Sequence, residues 1–277
     1  MIRFSAFADE IGPDLDEQLK TLASENVKFI ELRGVWGKNV LDLTPDEVKR
    51  VKARMDGEGF QVSSIGSPIG KIRIDEDFDV HLDRFKHAVE LAKTFGTRYI
   101  RLFSYYPPEG GDIRAHRAEV MRRMGEKVKV ARGADVVCCH ENEGRIYGEG
   151  PKECLELIRE FDSPHLRNIF DPANYVVAGY HPFDDCWGLL KDVTEYFHIK
   201  DTVMSTKEMV PAGEGDGQIP EVLADAVKRG FDGFCTLEPH LKKAGQFSGE
   251  TGPKLFIRAI RALKKVCDDI GADYDAK

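Results

Sequence analysis

Metal-binding side chains follow or end four apolar segments in the second half of the chain. Val136–His140 runs directly into Glu141, and the next three such segments lead to Asp171, His198 and Glu238. Three carboxylates and one imidazole suit Mn²⁺, Mg²⁺, Co²⁺ or Zn²⁺ and leave positions for substrate oxygens. Unpaired carboxylates facing one point would also repel each other unless a cation lay between them. We therefore predict that these four residues hold one divalent metal ion.

Each of these residues also has a structural interpretation. Asp171 precedes Pro172 and is suited to cap a helix. A lone histidine such as His198 is more often a hydrogen-bonded core residue than a ligand. The two glutamates are suited to pair with Lys200 and Arg33. The occurrence of all four residues at consecutive strand ends favours the metal site.

The elements that would position these residues alternate regularly along the chain. Eight short apolar segments alternate with eight helical segments over 277 residues, without a linker. This pattern predicts a (β/α)8 TIM barrel forming a single domain over residues 1–277, with the site at the C-terminal ends of the strands. A doubly wound sheet with a second domain is the alternative, and it would need a boundary that the sequence does not show. The strands are predicted at Arg3–Ala8, Val27–Arg33, Phe60–Ile65, Tyr99–Phe103, Val136–His140, Leu166–Phe170, Val193–Ile199 and Gly233–Leu237.

The helices are predicted from amphipathic periodicity and from start and stop signals. They are placed at Asp14–Asn26, from Thr44 to about Gly57, and at Phe78–Phe95, Ala115–Arg132, Pro151–Phe161, Pro182–Leu190, Pro220–Arg229 and Pro253–Asp269. The tail Gly271–Lys277 is predicted to be frayed.

Strand geometry selects among the polar residues that end the fifth strand. Side chains two positions apart point the same way, so Cys139, Glu141 and Glu143 share one side while His140 faces the other. This alternation favours Glu141 as the metal ligand and gives His140 a supporting role.

Composition argues against several classes of partner. The net charge of −8 disfavours a nucleic-acid partner, which would need clustered Lys and Arg. No apolar run reaches the roughly 18 residues that span a membrane. The six cysteines form no CxxC pair, and the N-terminus lacks the pattern of a signal peptide, so we expect reduced thiols in a cytoplasmic protein.

Several short motifs resemble those of the xylose isomerase-like TIM barrels. They are Phe170–Asn174, His198–Asp201, Pro211–Gly215, Leu237–Pro239, Phe247–Gly249 and Gly252–Pro253. The family resembled includes ketose 3-epimerases, hydroxypyruvate isomerase and inosose dehydratase, with endonuclease IV as a distant relative. The resemblance implies a metal held by Glu141, Asp171, His198 and Glu238, with the two glutamates exchanging protons with the substrate. Asn174 stands where family epimerases often carry His, and Met204 stands where some of them carry an Arg.

The predicted function is that of a metal-dependent sugar isomerase or epimerase. Glu141 and Glu238 would move a proton next to a carbonyl through a metal-stabilised enediolate. Arg33, Asn174, Lys200 and His240 are the candidate substrate-binding residues for a small-molecule sugar or polyol. The alternatives are an inosose-type dehydratase on the same scaffold, an endonuclease IV-like nuclease and a non-catalytic sugar-binding barrel.

Two further expectations concern a loop and the assembly. The glycine-rich loop 213–217 contains two carboxylates, which would repel a phosphate, so it is predicted to be a flexible rim or lid. The resemblance also implies a possible homo-oligomer, a dimer or a tetramer.

Overall fold

Eight parallel strands form one barrel-like sheet in the computed structural model, which describes residues 1–243 and 249–277. The predicted motif residues Phe247 and Ser248 lie outside the described residues. The strands are β1 Ile2–Ala6, β2 Phe29–Leu32, β3 Gln61–Ile65, β4 Tyr99–Leu102, β5 Val137–Glu141, β6 Leu166–Phe170, β7 Thr194–Ile199 and β8 Gly233–Leu237. Hydrogen-bonded neighbours run β1-β8-β7-β6-β5-β4-β3-β2, and β2 packs beside β1. The predicted (β/α)8 barrel is confirmed.

Helices cover the outside of the sheet and follow the predicted start and stop signals. They are α1 Leu15–Ala23, α2 Pro45–Gly57, α3 Phe78–Phe95, α4 Arg117–Ala134, α5 Pro151–Phe161, α6 Pro172–Val177, α7 Gly188–Leu190, α8 Ile219–Lys228 and α9 Pro253–Asp269. Thr44 and Glu47 form a reciprocal capping box at the start of α2. The helix predicted at 182–190 is instead a π-helical segment, Pro182–Trp187, followed by the single turn of α7.

A packed floor closes the barrel interior beneath the strand ends. One buried cluster contains Val137, Cys139, Ile169, Tyr196 and Phe234. The hydroxyl of Tyr196 lies 2.9 Å from Ser63 Oγ and 2.7 Å from Thr236 Oγ1. Cys139 therefore faces inward, as the predicted alternation for Cys139 and Glu141 requires.

The C-terminal tail is ordered against β1, so the prediction of a frayed end is wrong. The amide of Ile2 donates to the carbonyl of Asp273 at 2.8 Å, and Phe4 N donates to Asp275 Oδ1 at 2.9 Å. Tyr274 stacks on Phe4 with ring centroids 5.1 Å apart, and Ala276 is fully buried. The tail thus pairs with β1 through its backbone and packs Tyr274 on Phe4, a long-range contact that local composition does not reveal.

The loop 213–217 is anchored, which contradicts its prediction as a flexible lid. The buried carboxylate of Asp201 accepts hydrogen bonds from the amides of Gly213, Gly215 and Gly217 at 2.8, 3.1 and 2.8 Å. A Cβ at Gly215 would lie 2.5 Å from Asp201 Oδ1, so the glycine permits this close approach. These three amides therefore already donate their hydrogen bonds to a carboxylate of the protein.

All six cysteines are buried and unpaired. Among the described residues, none of the helices is both long enough and apolar enough to cross a membrane.

Candidate metal centre and active site

Four side chains converge at the C-terminal end of the barrel. Glu141 ends β5, Asp171 follows β6, His198 lies in β7 and Glu238 follows β8. One potential ligand atom from each lies within 4.8 Å of the others, and all four residues are buried. We call this group the acidic cluster.

Asp171 has both of the roles that the sequence left open. Its Oδ1 accepts a hydrogen bond from the amide of Asn174 at 3.0 Å, which caps α6. Its Oδ2 lies 2.8 Å from Lys200 Nζ within the acidic cluster. The side chain of Asn142 holds the backbone of Asp171 through two hydrogen bonds, each of 3.0 Å. One carboxylate thus both begins a helix and faces the acidic cluster.

His198 is oriented by a buried glutamate that the sequence analysis did not select. Its Nε2 lies 3.2 Å from Oε2 of Glu31 in β2. Its Nδ1 faces the acidic cluster, 3.2 Å from Glu141 Oε1 and 3.9 Å from Glu238 Oε2. The sequence does contain a signal for Glu31, since it is a charged residue within an otherwise apolar strand, β2. A carboxylate on the outer nitrogen of a histidine is a usual support for a metal ligand.

Basic groups surround Glu238. Arg33 Nη1 lies 2.6 Å from Glu238 Oε1, and Lys200 Nζ lies 3.2 Å from Oε2. His240 Nε2 lies 3.5 Å from Oε1. His240 has a positive φ of 48°, and its amide donates to Glu10 Oε2 at 2.9 Å. Glu10 therefore helps to hold His240 beside Glu238.

Glu141 has a different set of neighbours. Arg101 Nη1 lies 3.2 Å from Glu141 Oε2, and Asn174 Nδ2 donates to Oε1 at 3.4 Å. His140 points away from Glu141, and its Nε2 lies 2.9 Å from Ser104 Oγ. The alternation predicted for β5 is confirmed, with Glu141 inward and His140 outward.

Burial and neighbouring charges have opposite effects on the pKa values of the acidic cluster. Burial raises the pKa of Asp171 to about 6, although Lys200 opposes the shift. Burial also favours neutral Glu141, but His198 and Arg101 outweigh it and lower the pKa of Glu141 to about 2. Burial opposes charge on His198 as well, yet the carboxylates of Glu141 and Glu31 raise its pKa to about 10. Without a metal ion, a protonated His198 therefore takes the place of a cation among these carboxylates.

The donor set fits a divalent metal ion. His198 Nδ1 is buried and lacks a hydrogen-bond partner among the described residues, although three carboxylates surround it. Nitrogen and carboxylate oxygen at this spacing are suitable ligands once His198 is neutral. The four side chains are thus able to hold one ion, as the sequence predicted for this set.

A cavity of about 480 Å³ opens onto the acidic cluster. Glu141 and Glu238 line it, as do three of the predicted substrate-binding residues, Asn174, Lys200 and His240. Arg33 does not line this cavity; it lies behind Glu238 and pairs with Asp9 at 2.8 Å. Arg33 thus binds protein carboxylates and does not face the cavity.

The chain is similar in sequence to an epimerase and in structure to a probable dehydratase. A curated relative is fructoselysine 3-epimerase of Escherichia coli O157:H7, 24% identical over 222 residues, which are 74% of this chain and 78% of that protein. The probable 3-DHS dehydratase AsbF from Bacillus anthracis has a similar structure, with a TM-score of 0.75 and 17% identity over 95% of this chain and 98% of that one.

A second similar structure contains a metal. It is a xylose isomerase-like TIM barrel protein from Mycobacterium smegmatis in complex with magnesium, with a TM-score of 0.73 and 16% identity over 98% of this chain and 97% of that one. The family model described as xylose isomerase-like TIM barrel matches residues 19–266. This match spans most of the chain, which therefore belongs to the xylose isomerase-like TIM barrel family.

Proposed function

We propose that this protein is a metal-dependent sugar isomerase or epimerase that moves a proton next to a carbonyl group. The observation that carries the proposal is that Glu141 and Glu238 both line the cavity above the acidic cluster, from strands separated by β6 and β7. Two carboxylates approaching one cavity from different sides can serve two faces of a substrate. The similarity to a protein named fructoselysine 3-epimerase supports the same reaction class.

The proton transfer uses the two glutamates as base and acid. One carboxylate takes the proton from the carbon next to the carbonyl, and the C–H electrons form the carbon–carbon double bond of an enediolate while the carbonyl oxygen gains negative charge. The other glutamate, which must first take up a proton from solvent and loosen from its cationic neighbours, returns that proton to the opposite face in an epimerase. In an isomerase the proton returns to the former carbonyl carbon; the hydroxyl on the neighbouring carbon gives its proton to the former carbonyl oxygen and becomes the new carbonyl. Atoms and charge therefore balance without an oxidant or reductant.

The metal ligands in this proposal are Glu141, Asp171, His198 and Glu238. A divalent ion held there would supply the positive charge that stabilises the developing enediolate. Mn²⁺, Mg²⁺, Co²⁺ and Zn²⁺ are all compatible with this donor set. The magnesium complex of the similar Mycobacterium smegmatis protein supports a hard divalent ion.

The remaining basic residues position the reacting groups. Lys200 contacts Asp171 and Glu238, and we propose that it also binds a substrate oxygen in the cavity. Asn174 and His240 line the same cavity and have the same proposed role. Arg33 is proposed to hold Glu238 in place, because its guanidinium lies between Asp9 and Glu238.

A dehydratase is the second candidate function, and the position of Lys200 favours it. The ammonium group lines the cavity and is 3.2 Å from Glu238 Oε2, so it is placed to protonate a leaving hydroxyl. The reaction would begin with the same proton removal but would expel water and form an unsaturated product. The similar structure of a probable 3-DHS dehydratase supports this alternative.

A screen of ketoses, aldoses and inososes in D₂O with added Mn²⁺, Mg²⁺, Co²⁺ or Zn²⁺ tests both functions. Deuterium at the carbon next to the carbonyl, detected by NMR, is expected for one substrate class. An epimer or isomer supports the first function, whereas an unsaturated product supports the dehydratase. A complete screen without deuterium incorporation would reject both. A cytoplasmic location and a dimeric or tetrameric state remain predictions.

A further inference from the structure

A second cavity lies beside the one above the acidic cluster. It has a volume of about 630 Å³, and we call it the outer cavity; the 480 Å³ cavity is the inner cavity. Tyr106, Arg145 and Glu149 line both. The inner cavity alone is within the size range of small-molecule sites. The outer cavity therefore offers space beyond what the reacting sugar needs.

The wall of the outer cavity is held in place by the backbone. Tyr106 N donates to the carbonyl of Ile72, and Ile74 N donates to the carbonyl of Tyr106, each at 2.9 Å. Pro107 and Pro108 follow directly and restrict the chain. This wall is thus preformed beside the inner cavity.

Arg145 differs from the other basic residues of the two cavities. Lys71 pairs with Glu143, and Arg101 and Lys200 pair with residues of the acidic cluster. The remaining basic residues also contact acids: His240 with Glu10, Arg73 with Asp75, and Arg114 with Glu153. Within residues 1–243 and 249–277, the exposed guanidinium of Arg145 has no ion-pair partner.

The backbone around Arg145 keeps this group at the boundary of the cavities. Arg145 has a positive φ of 69°, which is uncommon for a residue other than glycine, and its amide donates to Glu149 Oε1 at 3.1 Å. Such backbone strain is often retained where the side chain has a role. An unpaired guanidinium in a cavity is suited to bind a planar carboxylate through two parallel hydrogen bonds.

We propose that the substrate is a sugar or polyol carrying an extension that ends in a carboxylate. The sugar occupies the inner cavity and the carboxylate binds Arg145 in the outer cavity. This inference rests on the proposed function for the identity of the reacting group. A single carboxylate fits better than a doubly charged phosphate, because Glu109, Asp112 and Glu149 also line the outer cavity.

Binding calorimetry on the Mn²⁺-loaded protein tests the proposal with matched probes. The probes are fructose and fructose linked through C1 or through C6 to a six-carbon chain ending in a carboxylate or in the corresponding carboxamide. For at least one linkage, the carboxylate is expected to bind about fivefold or more tightly than its carboxamide, the scale of one partly exposed ion pair. Equal binding of the two, or no binding of any extended probe, would overturn the proposal.

Two variants test whether Arg145 causes the preference for the carboxylate probe over the carboxamide probe. Arg145→Asn is expected to remove it, and Asn tolerates the positive φ at this position. Lys207→Asn is the matched control, since Lys207 is also a positive-φ cation, with φ of 60°, but lines neither cavity. A preference that survives Arg145→Asn would overturn the assignment.

The same probes distinguish this inference from the proposed function. Carboxylate preference, together with a complete sugar screen in D₂O that shows no deuterium incorporation, would reject the proton transfer but leave the binding site standing. Deuterium incorporation into fructose without any carboxylate preference would reject only the extended substrate.

Discussion

Nε2 of His198 lies 3.2 Å from Oε2 of Glu31 inside the barrel, and this contact turns Nδ1 of His198 toward three carboxylates. With a neutral imidazole, the proton resides on Nε2 and the lone pair on Nδ1 faces the acidic cluster. Glu31 therefore orients His198 as a proposed metal ligand, and it does so from the side of the imidazole that faces away from the acidic cluster.

Replacing Glu31 is expected to weaken metal binding. Glu31→Leu removes the acceptor for Nε2–H, and we expect the affinity for Mn²⁺ to fall about 10–100-fold by competition titration. Glu31→Gln should be milder, because its amide oxygen still accepts the hydrogen bond. Equal affinities for the wild type and Glu31→Leu would show that Glu31 has no positioning role.

Metal binding itself is expected to involve one divalent ion per chain. At a metal concentration of 100 times Kd, binding should add about 2.7 kcal/mol to the free energy of unfolding and raise Tm by about 5–10 °C. Asp171→Asn should lose most of this increase while still capping α6, since Asn is also a good N-cap. Asp77→Asn is the matched control, because Asp77 caps α3 away from the acidic cluster. Elemental analysis that finds no ion, or three zinc ions, in reconstituted protein would contradict the expectation.

Glu141→Gln and Glu238→Gln are each expected to abolish detectable turnover and leave the fold intact. Loss of a general acid or base lowers rates by about 10²–10⁴-fold, and both residues are also proposed ligands. Deuterium incorporation measures the rate, and circular dichroism checks the fold. Glu195→Gln is a matched control at the opposite end of β7, where Glu195 accepts a hydrogen bond from Tyr99. Normal turnover by either cluster variant on a confirmed substrate would exclude the two-carboxylate mechanism.

A buried lysine outside the site should make stability depend on pH. Lys127 in α4 is fully buried, its Nζ has no hydrogen-bond partner among the described residues, and it lies 4.4 Å from the ring centroid of Tyr105. Burial lowers the pKa of Lys127 from 10.5 to about 7. Between these values the unfolded chain binds a proton that the folded chain lacks, so this lysine makes the free energy of unfolding increase as pH rises.

Lys127→Met should remove that pH dependence. Urea unfolding of both proteins at pH 7 and pH 8.5 should show the stability advantage of Lys127→Met shrinking by about 1–2 kcal/mol over this interval. The two proteins must be compared because other groups also change stability with pH. Burial raises the pKa of Cys138 to about 12, and such a thiol makes the free energy of unfolding decrease at higher pH. An advantage that is constant with pH would mean that Lys127 is charged throughout in the folded protein.

Asp201 should control the order of the loop 213–217. Asp201→Ala removes the acceptor for three glycine amides, so their hydrogen exchange, followed by mass spectrometry, should become faster. Glu214→Ala is a control within the same loop, because the carboxylate of Glu214 pairs with the exposed Arg258 and not with the glycine amides. Unchanged exchange in Asp201→Ala would show that other contacts anchor the loop.

The sequence by itself determined the barrel and the four residues of the acidic cluster. Both follow from local rules: apolar strands alternate with amphipathic helices, and parallel strands of one barrel end on one face. The same rules placed Glu141 inward and His140 outward, since side chains alternate along a strand. Glu141, Asp171, His198 and Glu238 could therefore be selected without coordinates.

Only the tertiary structure decided which residues support the acidic cluster and which reach the cavity. Glu31 contacts His198 across 167 positions of sequence, and Arg33 turns to Glu238 instead of lining the inner cavity. Asp201 anchors the glycine loop, and the C-terminal tail packs along β1, where a lid and a frayed end were expected. These outcomes depend on the register and closure of the barrel, which set the distances between side chains from different strands. Local patterns indicate which groups face inward, but the partner of each group is set by the complete fold.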